Sequence, residues 1–257
     1  MDVRDLKPHL LGGGRVEMDE VDGIRLSIPP TTGGYADSQL DDYHGLSRRD
    51  FPWKAPTTLR LRARASHPSP PGTLGFGFWN DPFGFSLTGA GSLRRFPAAP
   101  QAIWFFYGSP PNDFSFVEGG PGSGWKAAVL RSIRYPAAVL VPGAAAAFAL
   151  AGLPLMRKWV VPLVRRQAAA TEVLLDTSLM EWHEYTLTWR PSGAVFEVDG
   201  QVVAESSIVP HEPLGFVAWI DNQYAVLSEA GGLRFGLLRT EAEHWLEIQD
   251  LRVGRIK

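Results

Sequence analysis

Hydrophobic and polar residues alternate most cleanly over Thr57–Ala65. Leu59, Leu61, Ala63 and Ala65 point one way and Arg60, Arg62 and Arg64 the other, the period of two that marks a strand with one wet face. A second alternating run, Tyr185, Leu187 and Trp189, passes through a Pro-Ser-Gly turn into Val195 and Val198, then through Asp199-Gly200 into 201–203. Two-residue Asp-Gly connections take positive φ and match the twist of paired strands, so this stretch predicts a three-stranded antiparallel meander. Asp22-Gly23 predicts another hairpin, between Arg15–Met18 and Ile24–Ile28. In Thr73–Trp79, Gly75 and Gly77 share one face and leave Phe76 and Phe78 on the other. Glycines on one face of a strand mark close approach of another backbone or a ligand. The run 102–107 is apolar on both faces, 114–118 reads as a further short strand, and 214–220, 224–228, 233–238 and 245–253 continue the series. Residues 35–43 alternate poorly and carry Asp37, Asp41 and Asp42. Short strands punctuated by Gly and Pro predict an all-β sandwich or barrel.

One segment breaks this pattern. Residues 119–171 hold no acid, yet contain Lys126, Arg131, Arg134, Arg157, Lys158, Arg165 and Arg166, and within them 135–156 (YPAAVLVPGAAAAFALAGLPLM) carries no charge. The Ala and Leu content predicts helix, cut into pieces by Pro136, Pro142 and Pro154. The length suffices for a membrane span, but strands on both sides must pair in one sandwich, so a single crossing is excluded. Three readings stay open for a helical, basic and apolar insertion at 120–175. It packs over a sheet with its arginines solvated, it lies in a membrane interface with its basic residues on anionic lipid, or it lids a hydrophobic pocket. Arg134, Phe148, Leu155, Arg157, Lys158 and Trp159 are the membrane or lid contacts this predicts.

Composition narrows the function classes. At 257 residues, with no linker-like tract, the chain reads as one β-sandwich domain over 1–257. A net charge of −2 argues against a globally basic nucleic-acid binder, and no nucleic-acid partner is expected. The absence of cysteine excludes disulfides and thiolate metal sites and fits a reducing compartment. The opening MDVRDLKPHLL mixes acids with bases and has no apolar run, so cytoplasmic residence is the expectation, with a peripheral place at the inner face of the membrane. The six histidines show no metal-ligand spacing, and no phosphate loop, dinucleotide fingerprint or nucleophile elbow is present.

The order Trp182-His183-x-Tyr185, Trp189, Pro191-x-Gly193 and Val198-Asp199-Gly200 resembles the late meander of family 16 glycoside hydrolases and the wider concanavalin A-like lectin/glucanase superfamily. The resemblance implies a concanavalin A-like jelly-roll sandwich of two antiparallel sheets, here with a helical insertion. It also implies a Glu-x-Asp-x-Glu strand, in which alternate residues place nucleophile and acid about one glycosidic bond. By chain order that strand is 101–107, QAIWFFY, which contains no carboxylate, and Glu-x-Asp-x-Glu occurs nowhere in the sequence. The closing strand, with Asp250-Leu251-Arg252-Val253, resembles the family's, where the matching Asp helps bind a structural calcium. Asp250 is the one metal-ligand candidate this carries over, and no other cofactor is implied.

The substitute acids are Asp81, Asp113 and Asp221, each following an aromatic strand or loop. Asn-Asp and Asp-Asn pairs are common turn formers, and they are also a composition suited to gripping a sugar, with polar groups for hydroxyls and an aromatic face for the ring. The expected ligand-binding set is therefore Trp79, Asn80, Asp81, Trp104, Phe106, Trp219, Asp221 and Asn222. The leading expectation is non-catalytic recognition of a carbohydrate or glycolipid, with possible contact to an anionic membrane through the insertion. The alternatives are a glycosidase-like enzyme with relocated acids, and a scaffold or hydrophobic-ligand binder.

Overall fold

The computed structural model describes residues 5–18, 23–82, 95–228, 230 and 232–256. The strands are β1 (Lys7–Leu11), β2 (Arg15–Met18), β3 (Ile24–Ile28), β4 (Asp37–Asp41), β5 (Thr57–Ala65), β6 (Thr73–Trp79), β7 (Gln101–Gly108), β8 (Asp113–Phe114) and β9 (Gly124–Ser132), followed by the helices α1 (Ala137–Ala151) and α2 (Pro154–Arg165). They continue with β10 (Ala168–Leu174), β11 (His183–Arg190), β12 (Gly193–Val198), β13 (Gln201–Ser206), β14 (Gly215–Asp221), β15 (Gln223–Ser228), β16 (Gly232–Leu237) and β17 (His244–Arg255). Two seven-stranded antiparallel sheets face each other, one ordered β1-β4-β14-β6-β7-β9-β10 and the other β13-β12-β11-β5-β17-β3-β2, and β16-β15-β8 form a small third sheet. This is the expected jelly-roll sandwich.

The alternating patterns account for the core. On β5 the leucines and alanines are buried and Arg60 is exposed, paired with Glu184 of β11. From the facing sheet Phe76, Phe78, Ile103, Phe105, Phe216 and Ala218 meet Leu59, Leu61, Tyr185, Leu187 and Trp189 in one apolar cluster. Phe76 and Phe105 each pack against the Tyr185 ring, at centroid separations of 5.2 and 5.0 Å. The meander pairs as its turn signals require, and Asp199, at φ 50°, is held by His183, whose ring Nδ1 lies 2.6 Å from the carboxylate. That contact draws the Asp199 carboxyl below its ordinary range and gives His183 a structural task.

Two expectations change. Residues 124–132 and 168–174, assigned to a helical insertion over 120–175, are sheet strands β9 and β10, paired along their whole length, and the helices occupy only 137–165. β9 is buried on both faces, and a strand of that kind lacks the polar alternation by which it would be read. Within 35–43, Asp37–Asp41 form a strand, β4, although Asp37, Ser38 and Asp41 are buried. The β2–β3 hairpin forms, and Asp22 of its turn lies outside the described residues. Residues 114–118 contribute only Phe114 to a strand.

Candidate functional site

The first sheet has two apolar faces. One is the core, and on the other Val217 and Trp219 of β14 cluster with Tyr43 and Phe51 and pack against Trp79, Trp104 and Phe106. The strand register explains this. On β6, Gly75 and Gly77 lie between Trp219 of β14 and the Trp104–Phe106 side of β7. A Cβ at Gly75 would stand 2.8 Å from the Trp219 ring and 2.3 Å from the Phe105 carbonyl oxygen, so only glycine admits the indole there. The Trp79 and Trp219 rings run parallel at 6.4 Å, and Trp104 sits 5.2 Å from Trp219 and 5.9 Å from Trp79. Two of the indole N–H groups are used: Trp79 donates to the Tyr43 hydroxyl (2.6 Å) and Trp219 to Thr73 Oγ1 (2.9 Å). These rings floor a cleft of about 660 Å³, a size suited to a small ligand.

β4 supplies the polar wall. Its period-two positions Asp37, Gln39 and Asp41 line the cleft, and Asp37 pairs in register with Asp221 of β14. Asp221 accepts hydrogen bonds from Thr73 Oγ1 (2.8 Å), the Thr73 amide (3.3 Å), the Gln223 amide (3.1 Å) and side chain (2.9 Å), and the Tyr35 hydroxyl (3.5 Å). Burial nevertheless pushes its carboxyl above the usual range. Burial raises Asp37 well above that range too, with Asp221 and Asp41 adding to it. Asp41 is raised by burial against a hydrogen bond from Gln39, which it accepts at 3.0 Å.

At the other side of the floor lies a buried ion pair. Lys126 of β9 is 3% exposed and donates to Glu172 of β10 (2.9 Å) and to the carbonyls of Pro121 (2.9 Å) and Phe114 (3.3 Å), while Glu172 accepts from the Phe116 amide (2.9 Å). Apart from the bond between the two charged groups, these contacts tie the cleft floor to the 114–121 loop. Removing one member of such a pair leaves a buried charge uncompensated. Lys126→Ala is therefore expected to lower the unfolding free energy by about 3–5 kcal/mol, read from urea denaturation. A loss below about 1 kcal/mol, the worth of an exposed pair, would show that the pair is not buried in solution.

The expected ligand-binding residues divide. Trp79, Trp104, Phe106 and Trp219 come together, with Asp221 at one end of the cleft and Asp81 at the other. Asp81 is held by Arg95 at 2.6 Å. Asn80 donates to the Ala99 carbonyl (2.9 Å) and accepts from the Gln101 amide (3.0 Å), and Asn222 accepts from the Ala36 amide (2.9 Å) and donates to the Gly34 (2.9 Å) and Leu238 (2.7 Å) carbonyls. Both amides hold turns, and neither lines the cleft. Asp113 is exposed on β8. The three substitute acids are not assembled: Asp221 pairs with Thr73 at the start of β6, and Asp81 follows its last residue, Trp79. At about 3.3 Å per residue, β6 separates them by on the order of 20 Å, too far to flank one bond. Asp250 stands at φ 53° beside a bulge in β17, and among the described residues no group of three or more His, Asp or Glu side chains is placed to hold a metal. A calcium at Asp250 would have to draw most of its 6–8 oxygens from main chain and water.

Sequence reading missed Asp37, Gln39, Asp41, Lys126 and Glu172. For β4 the signal was present, as the Asp-x-Gln-x-Asp spacing that puts three polar groups on one strand face.

The hairpin of α1 and α2 contacts β15 and β16 of the small sheet, which bounds one end of the cleft, and β10 at the edge of the first sheet. Phe235 of β16 lines the cleft and stacks with Phe148 of α1 at 6.4 Å. α2 buries Val160 and Val161. On α1, Ala151 is the one buried side chain among the described residues. Leu155 is 83% and Trp159 68% exposed, and Val139, Val141 and Phe148 are about half exposed. Arg157 donates to the Ala151 (3.1 Å) and Ala230 (2.8 Å) carbonyls, Arg134 donates to the Glu212 carbonyl (3.0 Å), and Lys158 lies over the Trp159 ring. Among the described residues no helix is long and apolar enough to cross a membrane.

No family model matches the chain, and no curated protein does. Solved structures do. A legume lectin-like domain from Entamoeba histolytica aligns at 10% identity over 99% of this chain and 92% of its own, with a TM-score of 0.50. An endo-acting O-glycanase of the human gut microbiota aligns at 11% identity over 94% and 83% (TM-score 0.48), and a Bacillus licheniformis β-glucanase at 12% over 94% and 82% (TM-score 0.44). The fold is the concanavalin A-like jelly roll, shared with the legume lectin-like domain.

Proposed function

We propose that the chain is a non-catalytic, lectin-like binder of a carbohydrate or glycolipid head group, seated in the cleft and held at the cytoplasmic face of an anionic membrane by the α1–α2 hairpin. The observation that carries this reading is the Trp79–Trp104–Trp219 floor beside the Asp37, Gln39 and Asp41 wall, aromatic faces for sugar rings next to groups for hydroxyls. Lectin-like relatives in fold support the ligand class. The separation of Asp81 from Asp221 speaks against the enzyme reading built on those acids. The apolar end of the cleft, Phe114, Phe116 and Phe235, suits the first carbons of a lipid chain. Tryptophan fluorescence tests the proposal, with octyl β-D-glucoside below its micelle concentration and octanol as the sugar-free control. A saturable response to the glucoside that octanol does not reproduce is expected. Equal responses would make the cleft a hydrophobic-ligand site instead.

A further inference from the structure

The cleft contains one buried polar side chain whose head group no described residue hydrogen-bonds. Asp37 is 4% exposed and lines the cavity, yet no hydrogen bond to its carboxyl forms among the described residues. Its cross-strand neighbour Asp221, whose Cβ stands about 5 Å away in such a pair, is instead surrounded by donors from Thr73, Gln223 and Tyr35. Buried polar groups are satisfied as a rule, and an exception in a cleft points to a partner the chain does not supply. The charges around it define that partner. Asp41 lies further along β4, His9 on the adjoining β1 faces Gln39, and Asp37, Asp41 and Asp221 have no Lys or Arg partner among the described residues. The Lys and Arg side chains lining the cleft there, Lys126 and Arg95, are each paired to a carboxylate, Glu172 and Asp81.

We infer that Asp37 is the hydrogen-bonding anchor for the ligand's head group, and that this head group is uncharged: a neutral hydroxylated ring rather than a uronate, sialate or phosphate. An anion seated here would meet the carboxyl groups of Asp37, Asp41 and Asp221, while the basic groups lining the cleft are Lys126 and Arg95, each paired to a carboxylate, and the imidazoles of His9 and His44, the latter already beside Asp41; burying an uncompensated charge is costly. A neutral sugar supplies ether and hydroxyl oxygens that a carboxyl can meet as donor or acceptor. The inference rests on the cleft reading above and narrows it.

The test compares octyl β-D-glucoside with octyl β-D-glucuronide, identical except for a carboxylate on the ring, by calorimetric titration at neutral pH. The intact protein is expected to bind the glucoside at least about tenfold more tightly. Asp37→Ala is expected to weaken glucoside binding about tenfold, the loss typical of an unpaired polar contact. Asp37→Asn, which keeps a donor and an acceptor in place, stays within about threefold. Equal affinity of the intact protein for the two glycosides would overturn the neutral-head inference without any variant having to fold. Unchanged glucoside affinity in a folded Asp37→Ala protein would remove Asp37 from the site while leaving the cleft reading in place. Absence of saturable binding to either glycoside would overturn the cleft reading itself.

Discussion

Replacing residues 135–156 with a short Gly/Ser linker is expected to abolish co-sedimentation with anionic vesicles while leaving the sandwich folded. A helix that is apolar on all sides belongs in a protein core or in lipid. α1 is not in the core, for of its described side chains only Ala151 is buried. A protein groove covers one face of a helix, which leaves the other faces of α1 wet; the headgroup boundary covers more of them. Charge agrees, since Arg131, Arg134, Lys158 and Arg166 are exposed around the hairpin and no acid occurs in 119–171. Half-exposed residues such as Val139, Val141 and Phe148 each gain about 1 kcal/mol on transfer, so the hairpin as a whole contributes several kcal/mol. Each exposed basic residue adds about 1 kcal/mol on an anionic surface. Binding should therefore fall sharply in high salt and on neutral vesicles, where only the apolar part remains. The replacement keeps Val160 and Val161, the side chains by which α2 packs down, so the sandwich loses little. If the intact, folded protein stays in the supernatant with anionic vesicles at low salt, the membrane reading is wrong and α1 covers something else.

The hairpin was legible because an uncharged run between basic residues stands out in any sequence, whereas its limits were not. β9 and β10 read as part of it because neither alternates: Ala127, Ala128, Val129 and Leu130 are all buried, and Lys126 is charged yet 3% exposed. What makes that burial tolerable is Glu172, 46 residues away on β10, a pairing no local pattern reveals. Asp37 and Asp41 illustrate the same limit from the other side. A polar residue in a strand is assigned to water by default, and here the water-side face of β4 is the wall of an aromatic cleft. The floor was legible in part, since Gly75 and Gly77 opposite two phenylalanines announced a close approach, and the approaching groups are Trp219 at Gly75 and Trp104 at Gly77. Asn80 and Asn222 were misleading for a chemical reason. An amide that binds a hydroxyl and one that closes a turn have the same composition, and only their main-chain partners distinguish them.

Trp104→Ala is expected to weaken octyl β-D-glucoside binding by about thirtyfold, equivalent to about 2 kcal/mol. Trp104 is the central ring of the floor, within 6 Å of Trp79, Phe106 and Trp219, so its removal deletes one platform and loosens the other three. Its ring lies on the cleft side, away from the Phe105–Tyr185 contacts of the core, so the folding cost should be smaller than for a core aromatic. Trp189→Phe provides the converse control: that residue is fully buried between the sheets against Phe78, and its substitution should reduce stability with glucoside affinity retained. Calorimetry is the appropriate readout, because the variant removes one of the reporting fluorophores. Affinity falling with Trp189→Phe and holding with Trp104→Ala would place the sugar elsewhere than on this face of the first sheet. The opposite pattern would fix the tryptophan floor as the surface that the glycines of β6 make room for.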